Sequence, residues 1–330
     1  MFKKEKILNY LFYNLATYLI SQAIFVQKMQ TKNPRLEDVV TSGNCYHVCT
    51  DGQESPLLMR DHEDYQMART FLAIAAWKVG LELIVYSIMS NHVHALVLSP
   101  DRKSVEKFIH LFKRLLSTHL RNKYGIPKAL HGIQDSISLI DSIQYLRNCI
   151  AYILRNALCA KVVTRIEDYP WSSYSCYFRR KSQSGRHISA LGARATRALL
   201  KTREDLSQSP FYIDENGNIL DSSFVRYDIV ERAFQNSGRF FLLTLGTCND
   251  AKMEYEMACK PLMKVNDTDI AIAAEELART RFNGKSLAEM STKDKCSMIK
   301  NLFFNNKTSI PQLSRVLGLP RNLISQILRN

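Results

Sequence analysis

The chain has 330 residues, of which 46% are hydrophobic and 23% are charged. That length is enough for at least two domains, and the composition excludes a wholly disordered chain, because disordered chains have too few apolar residues to form a core. Lysine and arginine number 45 against 31 for aspartate and glutamate, and the net charge of +14 favours a polyanionic partner such as nucleic acid. The eight cysteines are scattered, which indicates reduced thiols in a cytoplasmic protein.

Residues 1–28 form an apolar N-terminal extension. No charged residue occurs from Ile7 to Gln27, and lysines precede this run, so it is superficially similar to a signal peptide or a membrane anchor. Polar residues interrupt the run, and no small-residue cleavage site follows it. We therefore expect no stable membrane association, and we favour the interpretation that the natural start is Met29.

Strand and helix patterns alternate in the next part of the chain. Residues 44–50 predict a strand that ends at the turn Asp51-Gly52. Apolar residues recur at helical spacing over residues 63–79. Residues 83–89 and 92–98 are rich in β-forming types and are separated by two residues, which predicts an antiparallel hairpin.

A second amphipathic helix is predicted between Ser104 and Tyr124. Outside its apolar stripe lie the basic residues Lys113, Arg114, Arg121 and Lys123. These side chains either follow a DNA backbone or form a solvated helix face, and the sequence favours neither interpretation. Residues 133–139 predict a further strand, and Asp141 is the cap of a helix that runs to about Leu158.

The order of these elements predicts an α+β fold, namely a ferredoxin-like antiparallel sheet with helices on one face. A polar and basic stretch follows that sheet and is the best linker in the chain, and the pattern beyond it is mostly helical. The predicted divisions are an extension at 1–28, a catalytic domain at 29–178, a linker at 179–187, a mostly helical region at 188–300 and a helix-turn-helix at 301–330.

The predicted helix-turn-helix consists of residues 310–317, the turn Gly318-Leu319-Pro320 and residues 321–328. Its second helix begins with side chains of the types that reach base edges or phosphates: Arg321, Asn322, Ser325 and Gln326. The same spacing occurs in helical hairpins that do not bind DNA, so both interpretations stay open.

Two pairs of polar residues carry the candidate chemistry. His92 and His94 are two positions apart on a predicted strand, so both imidazoles point to one face of the sheet and can share a metal ion. Tyr152 and Asn156 are one turn apart on a predicted helix and share a helix face. Taken separately, each pair is more often structural than functional.

Several motifs together resemble the REP-associated tyrosine transposases, a branch of the single-tyrosine HUH transposases. MSNHVHALV at residues 89–97 is similar to that family's M-P-N-H-V-H-hydrophobic motif. AYILRNALCAKVV and EDYPWSSY, at residues 151–163 and 167–174, resemble its Y-I-x-x-N-P-V-R-A-G-L-V and D-Y-P-W-S-S-Y signature. NCYHVCTDG at residues 44–52 is similar to its opening Y-H-V-x-x-R-G, and the whole resemblance covers residues 33–177.

The resemblance implies specific roles. His92, His94 and Asn156 become ligands of a divalent ion, Mg²⁺ or Mn²⁺, and Tyr152 becomes the nucleophile. The implied reaction is nicking and rejoining of single-stranded or hairpin DNA at palindromic repeats through a 5′-phosphotyrosine intermediate. The family implies either a monomer or a homodimer.

Three positions depart from the family's motifs: Ser90 and Ala157 stand in place of prolines, and Asp51 stands where an arginine is common. The alternative function is a domesticated DNA-binding regulator with an inactive nuclease domain, acting through the helix-turn-helix. The intact histidine pair, tyrosine and asparagine favour the enzyme, because a pure binder has no chemical need for all four. A replication or conjugation initiator is disfavoured, because the chain has neither a second tyrosine partnered at the site nor a helicase P-loop.

Overall fold

The structure is a computed structural model that describes residues 35–52, 55–178, 185–248, 267–306 and 308–329. The extension predicted at residues 1–28 and the larger part of the predicted linker lie outside these ranges. In the part of the chain that the structure describes, no helix has both the length and the apolar character needed to cross a membrane.

A four-stranded antiparallel sheet organises the first part of the chain. Its strands are β1 Cys45–Thr50, β2 Glu82–Ile88, β3 Val93–Leu98 and β4 Asp135–Leu139. Their order in space is β2-β3-β1-β4, and every neighbouring pair is antiparallel, as the ferredoxin-like plan requires. All six residues of β3 are buried, because this central strand is covered on both faces.

Seven helices accompany the sheet within residues 35–248: α1 Leu36–Thr41, α2 His62–Val79, α3 Arg102–Tyr124, α4 Ile143–Cys159, α5 Ala193–Leu199, α6 Tyr227–Ala233 and α7 Gly238–Thr247. Local signals bound the two longest. Asp61 and Asp101 accept hydrogen bonds from the first turns of α2 and α3, and each helix ends at a glycine with positive φ. Short 3-10 helices lie at Ile166–Asp168, Ser173–Cys176, Ile188–Leu191 and Asp221–Ser223.

The helices lie on both faces of the sheet. Tyr86 of β2 hydrogen-bonds to Arg69 of α2, beside which α3 packs. The next strand residue, Ser87, pairs with His94, whose ring contacts Asn156 of α4. Consecutive strand residues point to opposite faces, so α2 and α4 lie on opposite sides. The α+β, ferredoxin-like prediction is confirmed, but the expectation of helices on one face needs correction, because α4 covers the face opposite α2.

One hydrophobic core includes residues from 39 to 245. Phe241 of α7 packs against Phe178, with ring centroids 5.1 Å apart, and α7 also packs along α4. The predicted linker at 179–187 therefore does not separate two cores, because apolar side chains beyond it cover the sheet unit. Within that predicted linker, β5 Arg186–His187 pairs with β6 Tyr212–Ile213.

A second hydrophobic core belongs to a C-terminal helical unit, residues 267–329, which consists of α8 Asp267–Arg281, α9 Thr292–Asn305, α10 Ile310–Leu317 and α11 Arg321–Arg329. The predicted helix, turn and helix are present. Gly318 ends α10 with a φ of 66°, and the Ser314 hydroxyl donates to the Leu319 carbonyl across the turn. Helices α8 and α9 share this core with α10 and α11, so the core extends to both sides of the boundary predicted at residue 301.

Candidate metal and nucleophile site

The three predicted metal ligands converge at the start of β3. His92 directly precedes the strand and His94 lies in it, with ring centroids 5.1 Å apart. Nδ2 of Asn156 lies 2.9 Å from Nε2 of His94, and the same side chain hydrogen-bonds to His92. The start of β3 thus supplies two imidazoles, and α4 supplies one amide beside them.

Asn91 determines which nitrogen of His92 carries the proton. Nδ1 of His92 lies 2.8 Å from Oδ1 of Asn91, whose Nδ2 donates to the Gly52 carbonyl. Since the amide nitrogen is used as a donor, Oδ1 accepts the Nδ1–H of His92 and leaves Nε2 unprotonated, as a metal ligand must be. Gly52 is sterically required, because a Cβ there would lie 2.7 Å from Nδ1 of His92.

Tyr152 lies beside these ligands, one helical turn before Asn156. Its ring is edge-on to His94, with centroids 5.5 Å apart, and its side chain is almost fully buried. The Ser142 hydroxyl caps the start of α4 by accepting from the Tyr145 amide, which sets the register of the helix. The predicted nucleophile and the predicted ligands therefore occupy one site.

Burial keeps both histidines neutral at neutral pH. It lowers the pKa of His92 to about 4, and the positive charge of Arg315 acts in the same direction. It lowers the pKa of His94 far below its usual value, with smaller contributions from His92 and His47. Neutral imidazole is the form that binds a metal ion.

The donor set fits a divalent ion. Two unprotonated ring nitrogens and an amide that presents its oxygen when turned over give a neutral N, N, O set with room for further ligands. Within the described ranges, no group of three or more His, Cys, Asp or Glu side chains is arranged to hold a metal. The predicted ligand set is of a different kind, because its third member is the amide of Asn156.

His47 and Cys49 also belong to the site, although sequence reasoning did not select them. The ring of His47 lies edge to edge with that of His94, with centroids 5.3 Å apart and 8° between the planes. Cys49 Sγ lies 3.7 Å from Nε2 of His94. The available signal was the NCYHVCTDG motif, in which strand alternation places both residues on one face of β1.

Arg315 connects the C-terminal helical unit to the site. Its Nη1 donates to the Ser55 carbonyl at 2.8 Å, while Nε and Nη2 donate to the Asp267 carboxylate at 2.8 and 3.1 Å. Ser55 lies three residues beyond Gly52, the residue that packs on His92. A residue of α10 therefore holds the loop beside the candidate metal ligands.

The basic residues predicted to contact DNA through α3 are Lys113, Arg114, Arg121 and Lys123. Three of them form ion pairs within the chain: Lys113 with Asp135, Arg114 with Glu204, and Lys123 with carboxylates at the start of α2. Arg121 is exposed. Internal pairing offsets most of the positive charge of this face, which weakens it as a phosphate-binding surface.

The second predicted DNA-binding set lies on α11: Arg321, Asn322, Ser325 and Gln326. Three of these side chains are exposed and Ser325 is half-buried, while Ile324 between them is fully buried in the second core. Burial of Ile324 holds the helix in place, and the polar side chains around it face solvent. A role in DNA recognition stays a prediction.

One comparison, with a family model, supports the resemblance to transposases. Residues 44–134 match the family model described as "Transposase IS200 like". This range includes both candidate histidines and ends before Tyr152. The chain is also similar to a solved structure of a REP-associated tyrosine transposase bound to a REP hairpin, at 18% identity over 41% of this chain and 78% of that chain, with a TM-score of 0.32. No curated protein matches the chain significantly.

Proposed function

Since residues 44–134 match the IS200-like transposases, we propose that the chain is a metal-dependent single-stranded DNA endonuclease and strand transferase. Its substrate is a hairpin or palindromic repeat, and its intermediate is a 5′-phosphotyrosine. One observation carries this proposal: Tyr152 lies against the imidazole of His94, within the group that His92 and Asn156 complete.

Each side chain has a defined task in this reaction. The Tyr152 oxygen attacks the scissile phosphorus, so an O–P bond to the phenol forms and the bond from phosphorus to the 3′-oxygen breaks. The phenol loses its proton to solvent, and the departing 3′-oxygen gains one. His92, His94 and the Asn156 oxygen would hold Mg²⁺ or Mn²⁺, which when bound polarises the phosphate.

The same arrangement serves strand joining. The phosphotyrosine ester replaces one phosphodiester with another, so a 3′-OH attacks the phosphorus in the reverse direction and releases Tyr152. A phenol is mostly protonated at neutral pH, so removal of its proton is part of the cost of cleavage. Packing of the Tyr152 ring against His94 positions the phenol beside the candidate ligands.

The alternative, a regulator with an inactive nuclease domain, draws on the exposed polar residues of α11. The enzyme is favoured because Asn91 and Gly52 hold His92 in the protonation state that a ligand needs, and a regulator has no use for that state. The described cysteines form no disulfides with one another, which fits the predicted cytoplasmic location. Assembly as a monomer or a homodimer stays a prediction.

The test uses single-stranded DNA from the flanks of the gene, incubated with full-length protein and Mn²⁺. Two substrates carry the label at the 5′ end or at the 3′ end. We expect a covalent protein adduct that retains only the 3′ label, because the tyrosine takes the 5′ phosphate, while the 5′-labelled piece is released with a 3′-OH. DNA binding without any adduct would favour the regulator.

A further inference from the structure

His47 has no role in the proposed reaction, yet it makes a specific contact with a predicted ligand. Its side chain is fully buried at the centre of β1. Nε2 of His47 lies 3.1 Å from Nδ1 of His94, on the side of the ring away from Asn156. The other nitrogen of His47, Nδ1, is buried without a hydrogen-bond partner.

With the Asn156 amide nitrogen facing His94, these contacts define one set of proton positions. The Asn156 amide donates to Nε2 of His94, so that nitrogen carries no proton. Neutral His94 then has its proton on Nδ1 and donates it to Nε2 of His47. Neutral His47 consequently carries its own proton on Nδ1, the atom that has no partner. The series of hydrogen bonds that runs from Asn156 through His94 to His47 therefore ends at the unpaired Nδ1–H of His47.

The opposite assignment would disable the site. If Nε2 of His47 donated to His94, the proton of neutral His94 would move to Nε2, facing Asn156. That nitrogen would then be unable to bind a cation. The contact between the two rings therefore decides whether His94 is a ligand, just as Asn91 decides it for His92.

We propose that His47 is a positioning residue for the metal site: it accepts the Nδ1–H of His94 and holds the ring with an unprotonated Nε2 toward Asn156. This inference rests on the proposed function, since it assigns His47 to the same metal site. A neutral acceptor suits a fully buried position, where a carboxylate would bring an uncompensated charge. The hydrogen bond joins two nearly coplanar rings, which fixes the tilt of His94 as well as its proton.

Two substitutions separate the acceptor from the packing. In His47→Phe an aromatic ring still occupies the position, but the acceptor is removed. In His47→Gln the amide oxygen lies near the former Nε2 and keeps the acceptor. We expect His47→Phe to weaken Mn²⁺ binding by about 10- to 100-fold, and His47→Gln to restore most of that affinity. His110→Phe, at an exposed position on α3, is the matched control and should bind Mn²⁺ like the wild type.

The measurement is Mn²⁺ titration of the full-length protein without DNA, by calorimetry or electron paramagnetic resonance, with thermal unfolding to verify that each variant is folded. If the wild type binds no Mn²⁺, the metal site of the proposed function fails. If the wild type binds and His47→Phe binds equally well, only the role of His47 fails.

A second readout needs no variant and no metal. Nitrogen chemical shifts of ¹⁵N-labelled wild-type protein report which ring nitrogen of each histidine carries the proton. The proposal requires His94 to be protonated on Nδ1, and His47 to be protonated on Nδ1 as well. A proton on Nε2 of His94 would overturn it, whether or not the variants fold.

Discussion

The sheet unit, residues 35–248, and the C-terminal helical unit, residues 267–329, treat polar side chains in opposite ways. In the sheet unit, His94 and Asn156 are no more than 6% exposed and are held by other polar groups. In the helical unit, Arg321 and Asn322 stand in solvent on a helix anchored by Ile324. The difference teaches that chemistry needs side chains fixed before substrate arrives, whereas recognition of DNA needs donors that phosphates and bases can reach.

Charge follows the same division. The basic residues of α3 are mostly paired with carboxylates of the sheet unit, and Lys123 alone contacts Asp61, Glu63 and Asp64. These pairs connect α3 to the start of α2 and hold the layer beneath the sheet. We therefore assign the basic face of α3 chiefly to stability, and expect the larger share of DNA contacts from α11.

The largest effect should come from Tyr152→Phe. The variant lacks only the attacking oxygen, so we expect complete loss of the covalent adduct with unchanged DNA affinity, measured by denaturing gels and binding isotherms. Tyr145→Phe, on the same helix but only half-buried, is the control and should retain the adduct. An adduct that persists in Tyr152→Phe and disappears in Tyr145→Phe would reassign the nucleophile.

Removal of the metal ligands should follow. His92→Ala and His94→Ala are each expected to abolish Mn²⁺ binding and nicking, and a chelator should do the same to the wild type. Asn156→Ala should weaken binding less, because water can replace one neutral ligand. Arg321→Ala should leave Mn²⁺ affinity unchanged. Full nicking by a His92→Ala, His94→Ala double variant in chelator would remove the metal from the mechanism.

Asp64 tests the stability of the sheet unit separately. Burial raises the pKa of this carboxyl, but hydrogen bonds from the Arg60 amide, Lys123, His119 and Tyr124 outweigh burial and lower the pKa to about 2. Asp64→Asn should reduce the free energy of unfolding by about 1.5–3 kcal/mol, because the hydrogen bonds from Lys123 and His119 lose the charge of their acceptor, while Lys123 keeps Asp61 and Glu63 as partners. The measurement is denaturant unfolding followed by probes in each unit, and a loss shared equally by both units would contradict this assignment.

The same carboxyl predicts a pH dependence. Its pKa is lower in the folded state than the ordinary value of 3.8, so its contribution to stability is complete above that value. The contribution is lost as the pH falls from about 4 toward 2. Wild-type stability should decline over this range, and the Asp64→Asn protein should decline less.

The smallest effect should come from Arg321→Ala. Loss of one phosphate or base contact should lower DNA affinity severalfold and reduce the slope of log affinity against log salt by about 1. Lys123→Ala is the comparison, since its charge is already paired: it should lower stability and leave the salt slope unchanged. A change of slope in Lys123→Ala but not in Arg321→Ala would reverse the division of labour between the two units.

Short-range patterns predicted much of this structure. Spacing of two residues on a strand correctly placed His92 and His94 together, and spacing of four on a helix did so for Tyr152 and Asn156. Only the family resemblance predicted that the two pairs lie together, because local sequence patterns do not indicate which helix packs on which strand. Sequence analysis did not select His47, because its partner His94 lies on another strand. The register that pairs the two strands cannot be predicted from either strand alone.

The packing of the residues beyond 187 could not be predicted for a related reason. A polar, basic stretch at residues 179–187 has the composition of a linker, and composition was the only local signal. Phe211 and Phe241 nevertheless return to the core of the sheet unit. The composition of a linker-like segment indicates that its own side chains are solvated. It does not predict where the apolar residues that follow it pack.

The contact of Arg315 with the Ser55 carbonyl has a thermodynamic consequence. It joins α10, which packs against α11, to the loop whose Gly52 packs on His92. Where DNA bound by α11 shifts α10, it changes the free energy of that loop, and therefore the affinity of the histidines for metal. If α11 binds DNA and the histidines bind a metal ion as proposed, linkage makes the effect reciprocal: metal binding would alter DNA affinity at α11 by the same factor. A base sequence read by the last helix would then set how readily a phosphodiester at the sheet is cut.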